Sequence, residues 1–261
     1  MKNTILTFAV IVMTNLSLCA QVLFVLSAAD TLELNKGEKL RQTGVFLNEF
    51  YLAYNSVLKA GYTVAIATPN GTVATIDQES MDDSYWQNNL TLKKEALAFI
   101  KHNQVFNHPL SLEEALKNKN NYIGLVIPGG QGLMVDLHNN LHIPLLLSHF
   151  AETKKPTGLI CHAPSLILTI PKESNPYVGF NVNSVSPLEE FVIEKFIMKG
   201  KPQNRKIAKR LKKMGLNYKQ KLPKANYAVK DRNLVTSQNP FSSERFNMLY
   251  MEALEEYQTK N

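Results

Sequence analysis

The chain has 261 residues, 44% of them hydrophobic and 20% charged, which is enough apolar material for one sizeable core. Twelve glycines and twelve prolines scattered without a period exclude collagen-like and wholly disordered chains, and no repeat at solenoid spacing is present. Lys and Arg number 29 against 22 Asp and Glu, a modest excess for the length, and two cysteines cannot form a disulfide framework.

The N-terminus has the order of a secretory signal. Lys2 supplies a positive start, Ile5 to Met13 an apolar stretch, and Leu18-Cys19-Ala20 a small-residue ending before Gln21. Residues 1–20 are therefore expected to be removed, leaving residues 21–261 as one domain and an exported, periplasmic or secreted protein. The apolar run is broken at Thr14-Asn15 and falls short of the roughly 20 residues that span a bilayer. An uncleaved anchor, or a lipoprotein modified at Cys19, is the alternative; bulky Leu18 argues against the second. After cleavage Cys161 stands alone, either as a small buried hydrophobe or as a reactive thiol.

Gln21 to Ser27 is an apolar run that predicts a buried strand, and Phe46 to Ala60 carries helical spacing closed by Gly61. Tyr62 to Ala67 predicts a second strand, ended by the turn Pro69-Asn70-Gly71. Residues 72–120 are less regular, with a helix at Leu92 to His102 and another after Ser111, where SLEE has the capping-box pattern. Tyr122 to Ile127 predicts a third strand running into Pro128-Gly129-Gly130. Pro144 to Thr153 predicts a helix, and Thr157 to Ile160 a strand running into Cys161. Such alternation implies right-handed crossovers and a doubly wound α/β sandwich, a mostly parallel sheet between helices, with chemistry at the carboxyl ends of its strands.

In GLICHAP the strand stops at Cys161-His162 and an apolar helix, Pro164 to Ile170, is expected at once. That turn would expose a nucleophile above the sheet, and the helix N-terminus would lower the thiol pKa. The bland reading is a buried strand cysteine. PGGQG some thirty residues earlier tips the balance, because paired glycines after a buried strand let backbone N–H groups approach a developing oxyanion.

Taken in order, VLFVLSA, QTGVFLNE, AGYTVAIATPNG, LVIPGGQG, GLICHAP, RNLVTSQNP and FSSE resemble the ThiJ/PfpI superfamily of the class I glutamine amidotransferase-like, flavodoxin-like fold. The resemblance runs from about residue 21 to residue 257 and is nearest the heat-shock chaperone and glutathione-independent glyoxalase (glyoxalase III) branch. It implies Cys161 as nucleophile, His162 as auxiliary proton carrier and Glu49 as general acid/base. Glu190, with Glu189 as fallback, would orient the histidine, and Gly129 and Gly130, with the backbone amide of His162, would stand at the oxyanion site. The implied activity is a hydro-lyase on small reactive carbonyls, methylglyoxal to lactate, or a related deglycase, with no cofactor and a homodimeric assembly. A stress chaperone or redox sensor retaining a reactive cysteine is the alternative, and a cysteine peptidase the third. Gln131 and Ala163 depart from the family pattern, where histidine and glycine are usual. Leu58 and Thr63 stand where some members place metal ligands, so no metal site is expected. His102, His108, His138, His142 and His149 read as surface or capping residues.

Most of the positive excess lies in Lys199 to Lys224. Ile207, Leu211 and Met214 recur at helical spacing there, which predicts an amphipathic helix with a solvated cationic face. Nucleic-acid binding is not expected, and contact with an anionic membrane surface is the lesser reading. Tyr227 to Val229 and Leu234 to Thr236 predict a hairpin around Asp231-Arg232-Asn233, and Ser242 to Tyr257 a closing helix.

Overall fold

A computed structural model describes residues 20–87 and 89–260. The segment expected to direct export lies outside them, except for Ala20. In chain order the strands and helices are β1 (Gln21–Val25), β2 (Thr31–Leu34), β3 (Lys39–Gln42), α1 (Leu47–Lys59), β4 (Thr63–Thr68), α2 (Leu90–His102), α3 (Gln104–Asn107), β5 (Leu110–Ser111) and α4 (Leu112–Lys117). Then follow β6 (Tyr122–Ile127), α5 (Leu133–Asp136), α6 (His142–Glu152), β7 (Thr157–Ile160), β8 (Asn181–Val182), α7 (Pro187–Val192), α8 (Ile207–Met214), β9 (Asn217–Tyr218), β10 (Ala228–Asp231), β11 (Leu234–Ser237) and α9 (Ser243–Gln258).

The central sheet has the order β10-β11-β7-β6-β1-β4-β5, parallel except for the β10–β11 hairpin. Its middle strands are apolar on both faces because helices cover both: Val22 to Val25, Leu125 to Ile127 and Leu159 are at most 1% exposed. Helices α1 and α9 pack together on one side, and α4, α6 and α8 belong to the other. Aromatic rings fill the space beneath α1, where Phe50 meets Phe24, Phe99 and Phe106 at centroid distances of 5.7–6.0 Å. The doubly wound α/β class expected from the sequence is the class observed.

The capping box at Ser111 is present, its hydroxyl accepting the Glu114 N–H while Glu114 takes the Ser111 N–H. Three features depart from the expectations. A β2–β3 hairpin occupies residues 31–42, where no pattern pointed to one. A single π turn at Ile193–Ile197 extends α7. The segment after Cys161 is a tight 3₁₀ coil, Ala163–Thr169, and not the α-helix expected from Pro164 to Ile170. Pro164 and the packing of buried Leu166 and Ile167 against α6 and α8 hold it in that form.

Candidate active site

Parallel register brings four strand ends to one place. Ile127 of β6 lies opposite Leu159 of β7, so Gly129-Gly130 and Cys161 emerge side by side. Ser237 at the end of β11 accepts the Cys161 N–H at 2.9 Å, which sets Gln238 and Asn239 against the same turn. Gly132, after β6, lies so close to β1 that a Cβ there would come within 2.6 Å of the Ser27 hydroxyl.

Cys161 has φ 58°, a left-handed conformation that costs a non-glycine residue about 1–3 kcal/mol. The surroundings over-determine it: its N–H goes to Ser237, and its carbonyl accepts the Val185 N–H at 2.9 Å. This is the elbow the sequence predicted. Its sulfur is 3.2 Å from His162 Nδ1, and both side chains line a cavity of about 160 Å³.

Glu49 arrives from the first turn of α1, held in place by backbone pairing. The Phe46 N–H donates to the Gly129 carbonyl at 3.1 Å, and Gly129 N–H donates to Glu49 Oε2 at 2.9 Å. A Cβ on Gly129 would come within 2.5 Å of Glu49 Oε2 and 2.8 Å of Cys161 Cβ, so only glycine lets carboxyl and cysteine approach. The second oxygen, Oε1, is buried with no hydrogen-bond partner among the described residues. Burial pushes the Glu49 carboxyl up to about 8, against the smaller opposing pull of the Cys161 side chain and the Gly129 N–H. A helix N-terminus favours an anion by about 0.3–1 kcal/mol, and complete enclosure outweighs it.

Burial and the facing Glu49 push the Cys161 thiol up, with the His162 N–H working against them. The expected acidification by a helix dipole is therefore corrected: the following segment is a short 3₁₀ coil and the sulfur is enclosed. His162 is pushed down to about 4 by burial, so it is neutral at pH 7.

The acidic residue expected on His162 is also corrected. Glu190 accepts the backbone N–H of Lys206 on the outer side of α7 and makes no bond to His162. Its neighbour Glu189 lines the cavity, but its oxygens are taken by the Ser186 hydroxyl and N–H, Gln238, Asn239 and the Lys224 N–H. The capping box of α7 turns Glu189 inward and Glu190 outward. The partner of His162 is Gln131, with the two Nε2 atoms 2.9 Å apart. With the amide nitrogen donating, the imidazole Nε2 accepts and the ring proton sits on Nδ1, facing the sulfur. Gln131 stood out in the sequence as a departure from a family pattern, but only the fold reveals what it touches.

Gly129 is likewise reassigned, because its N–H is spent on Glu49. Gly130 lines the cavity with φ +106°, and a Cβ there would collide with the Gly44 carbonyl at 2.2 Å. The remaining wall is mostly carbon: Phe46, Tyr85, Val185, Ile193, Ile197 and Phe241. Among the histidines expected at the surface, His138 is half-buried, with Nε2 2.8 Å from the Ser165 hydroxyl, and burial lowers it to about 4.

No family model matches the chain. It is 25% identical over 198 residues to the glutamine amidotransferase-like class 1 domain-containing protein 1 of Xenopus laevis, covering 76% of this chain and 78% of that protein. To the protein/nucleic acid deglycase HchA of Escherichia coli it is 22% identical over 214 residues, covering 81% and 73%. Among solved structures, the protein APC35852 superposes with a TM-score of 0.72 at 26% identity, covering 91% of this chain and 98% of that one. Glyoxalase III of Candida albicans superposes with a TM-score of 0.75 at 21% identity, covering 90% and 97%. With the elbow, the paired glycines and the buried glutamate in the order the motifs had indicated, the fold and these similarities support the resemblance of the chain to the ThiJ/PfpI superfamily and to its glyoxalase III and chaperone branch.

Proposed function

We propose that the protein is a cysteine-dependent enzyme acting on small reactive carbonyl compounds, a glutathione-independent glyoxalase or a related deglycase. One observation carries this reading. A sulfur on a strained elbow faces a carboxyl group whose pKa of about 8 lets it both give and take protons near neutral pH. The similarity to a deglycase and a glyoxalase III supports the same chemistry.

The chemistry follows from the groups present. Cys161 sulfur adds to the aldehyde carbon of a 2-oxoaldehyde and the carbonyl oxygen gains a proton, giving a hemithioacetal. The carbon-bound proton is then removed and returned to the adjacent carbon, which converts the hemithioacetal to a thioester. Glu49 stands beside the sulfur with one oxygen unpartnered and is the group placed to move that proton. Water cleaves the thioester, releasing a 2-hydroxy acid and restoring the thiol. His162, neutral and aligned by Gln131, steadies the sulfur as its charge changes. No oxidant enters, because the aldehyde carbon is oxidised as the ketone carbon is reduced.

The test is lactate formation from methylglyoxal without glutathione, by wild type and by Cys161→Ala and Glu49→Gln. Both variants are expected to lose activity, and full activity in both would overturn the site. A second reading, a chaperone, draws on the apolar side chains that α7 and its extension expose, Leu188, Phe191 and Phe196. Suppression of client aggregation by a protein that makes no lactate would favour it. Export after Ala20 and homodimer formation belong to the proposal too, checked by the mass of the protein recovered from the periplasm or medium and by sedimentation.

A further inference from the structure

The polar groups that line the cavity are largely spoken for. Asp77 accepts the Glu79 N–H at 3.0 Å. Glu79 is bound by Arg41 and by the Tyr85 hydroxyl at 2.8 and 2.7 Å. Glu189 is held by Gln238 and Asn239 at 3.0 and 2.8 Å. What they leave facing inward is hydrocarbon. Phe46 and Tyr85 pack edge to face at 4.9 Å, Tyr85 and Phe241 lie 5.8 Å apart, and Val185, Ile193 and Ile197 complete the wall. Lys224 lies 5.6 Å over the Phe241 ring, and three carboxyl side chains line the same cavity, so an anionic substrate would be repelled. Val192, which also lines the cavity, is 39% exposed and carries the apolar wall out to the mouth.

A methyl group would leave most of this wall uncovered. A cavity of about 150 Å³ has room for a benzene ring, and this one, open at its mouth and mostly carbon-walled, measures about 160 Å³. We infer that the site selects 2-oxoaldehydes bearing an aromatic or comparably bulky apolar group, arylglyoxals being the type, over methylglyoxal. This rests on the carbonyl chemistry proposed above and adds what sits on the ketone carbon. Sulfur adds to the aldehyde carbon, the ring lies against the wall formed by Tyr85, Phe241 and Ile193, and one water is consumed. Arylglyoxal plus water gives the aryl 2-hydroxy acid, with the thiol regenerated.

The test compares phenylglyoxal and methylglyoxal as substrates of the full chain without glutathione, reading each 2-hydroxy acid. The expected kcat/KM is about tenfold or more higher for phenylglyoxal, chiefly through KM. The ratio of the two values is expected to fall about fivefold in Val192→Trp, which narrows the mouth, and in Phe241→Ala, which removes a ring contact. Cys161-dependent lactate formation as efficient as mandelate formation, or a ratio unchanged in both variants, would overturn the selectivity and leave the glyoxalase reading standing. Formation of neither acid would overturn both.

Discussion

Glu49 decides the behaviour of the site through one property, its enclosure. Its pKa is raised from 4.5 to about 8, so between those values the unfolded chain has lost a proton that the folded chain keeps. This group's contribution to stability therefore falls as pH rises through that window, by a few kcal/mol at most. Glu49→Gln retains an oxygen for the Gly129 N–H and carries no proton to lose. It is expected to melt higher than wild type by an increment that grows between pH 5 and pH 8, while turnover drops by about 10²–10⁴-fold. Parallel melting curves across that range would show that the carboxyl is not held neutral. His162 acts in the opposite window: pushed down to about 4, it withholds a proton that the unfolded chain accepts, so its contribution is lost as pH falls below about 6.5. Its partner Gln131 suggests a sharper experiment. Gln131→Glu would put a carboxylate beside the imidazole and raise the His162 pKa, read by nitrogen NMR titration of the ring, whereas a Gln131 that merely fills space would leave it unmoved.

At the scale of elements, strand ends and helix starts hold these side chains where isolated segments could not. Gly129→Ala would drive a methyl against Glu49 Oε2 and the Cys161 Cβ, separating the pair. It is expected to cost about 1–3 kcal/mol of stability and most of the activity. The adjacent glutamates of α7 have opposite fates. Glu189 ties the capping box to Gln238, Asn239 and the 224 turn, so Glu189→Ala leaves buried donors unpaired and should destabilise by about 2–4 kcal/mol in denaturant melts. Glu190→Gln keeps an acceptor for Lys206 and is expected to preserve kcat and its pH profile, which a histidine-orienting carboxylate could not do. Two adjacent residues in a run of acids look equivalent in one dimension. The helix start, with Ser186 as cap, assigns one to the interior and the other to the rim.

For the whole molecule, the interior strand β1 starts at Gln21, immediately after the expected cleavage point, and the Ala20 carbonyl accepts the Thr63 N–H at 3.1 Å. A chain beginning at Gln21 is expected to fold with a melting temperature within a few degrees of the longer form, since every residue of β1 is retained. The basic stretch became an ordinary part of the core layer: Ile207, Ala208 and Leu211 are buried, and Lys212 lies 5.4 Å over Tyr218. The strand sequence, the parallel sheet and the elbow were legible because buried strands and amphipathic helices carry period and apolar character in the chain itself. β6 and β7 match their predicted bounds residue for residue. The β2–β3 hairpin was not legible, since alternating Leu32 and Leu34 are too few to stand out and their burial depends on the distant Met198. Nor was the thiol's true environment. A strand followed by apolar residues reads as strand and helix, but whether the following turn coils as α or 3₁₀ depends on what packs over it, and the charge a sulfur can carry depends on how much water reaches it. Local order of residues determined which side chains come to the strand ends. Long-range register decided which of them touch, because hydrogen-bond partners, exclusion of water and the choice of Gln131 over Glu190 arise between segments far apart in the chain.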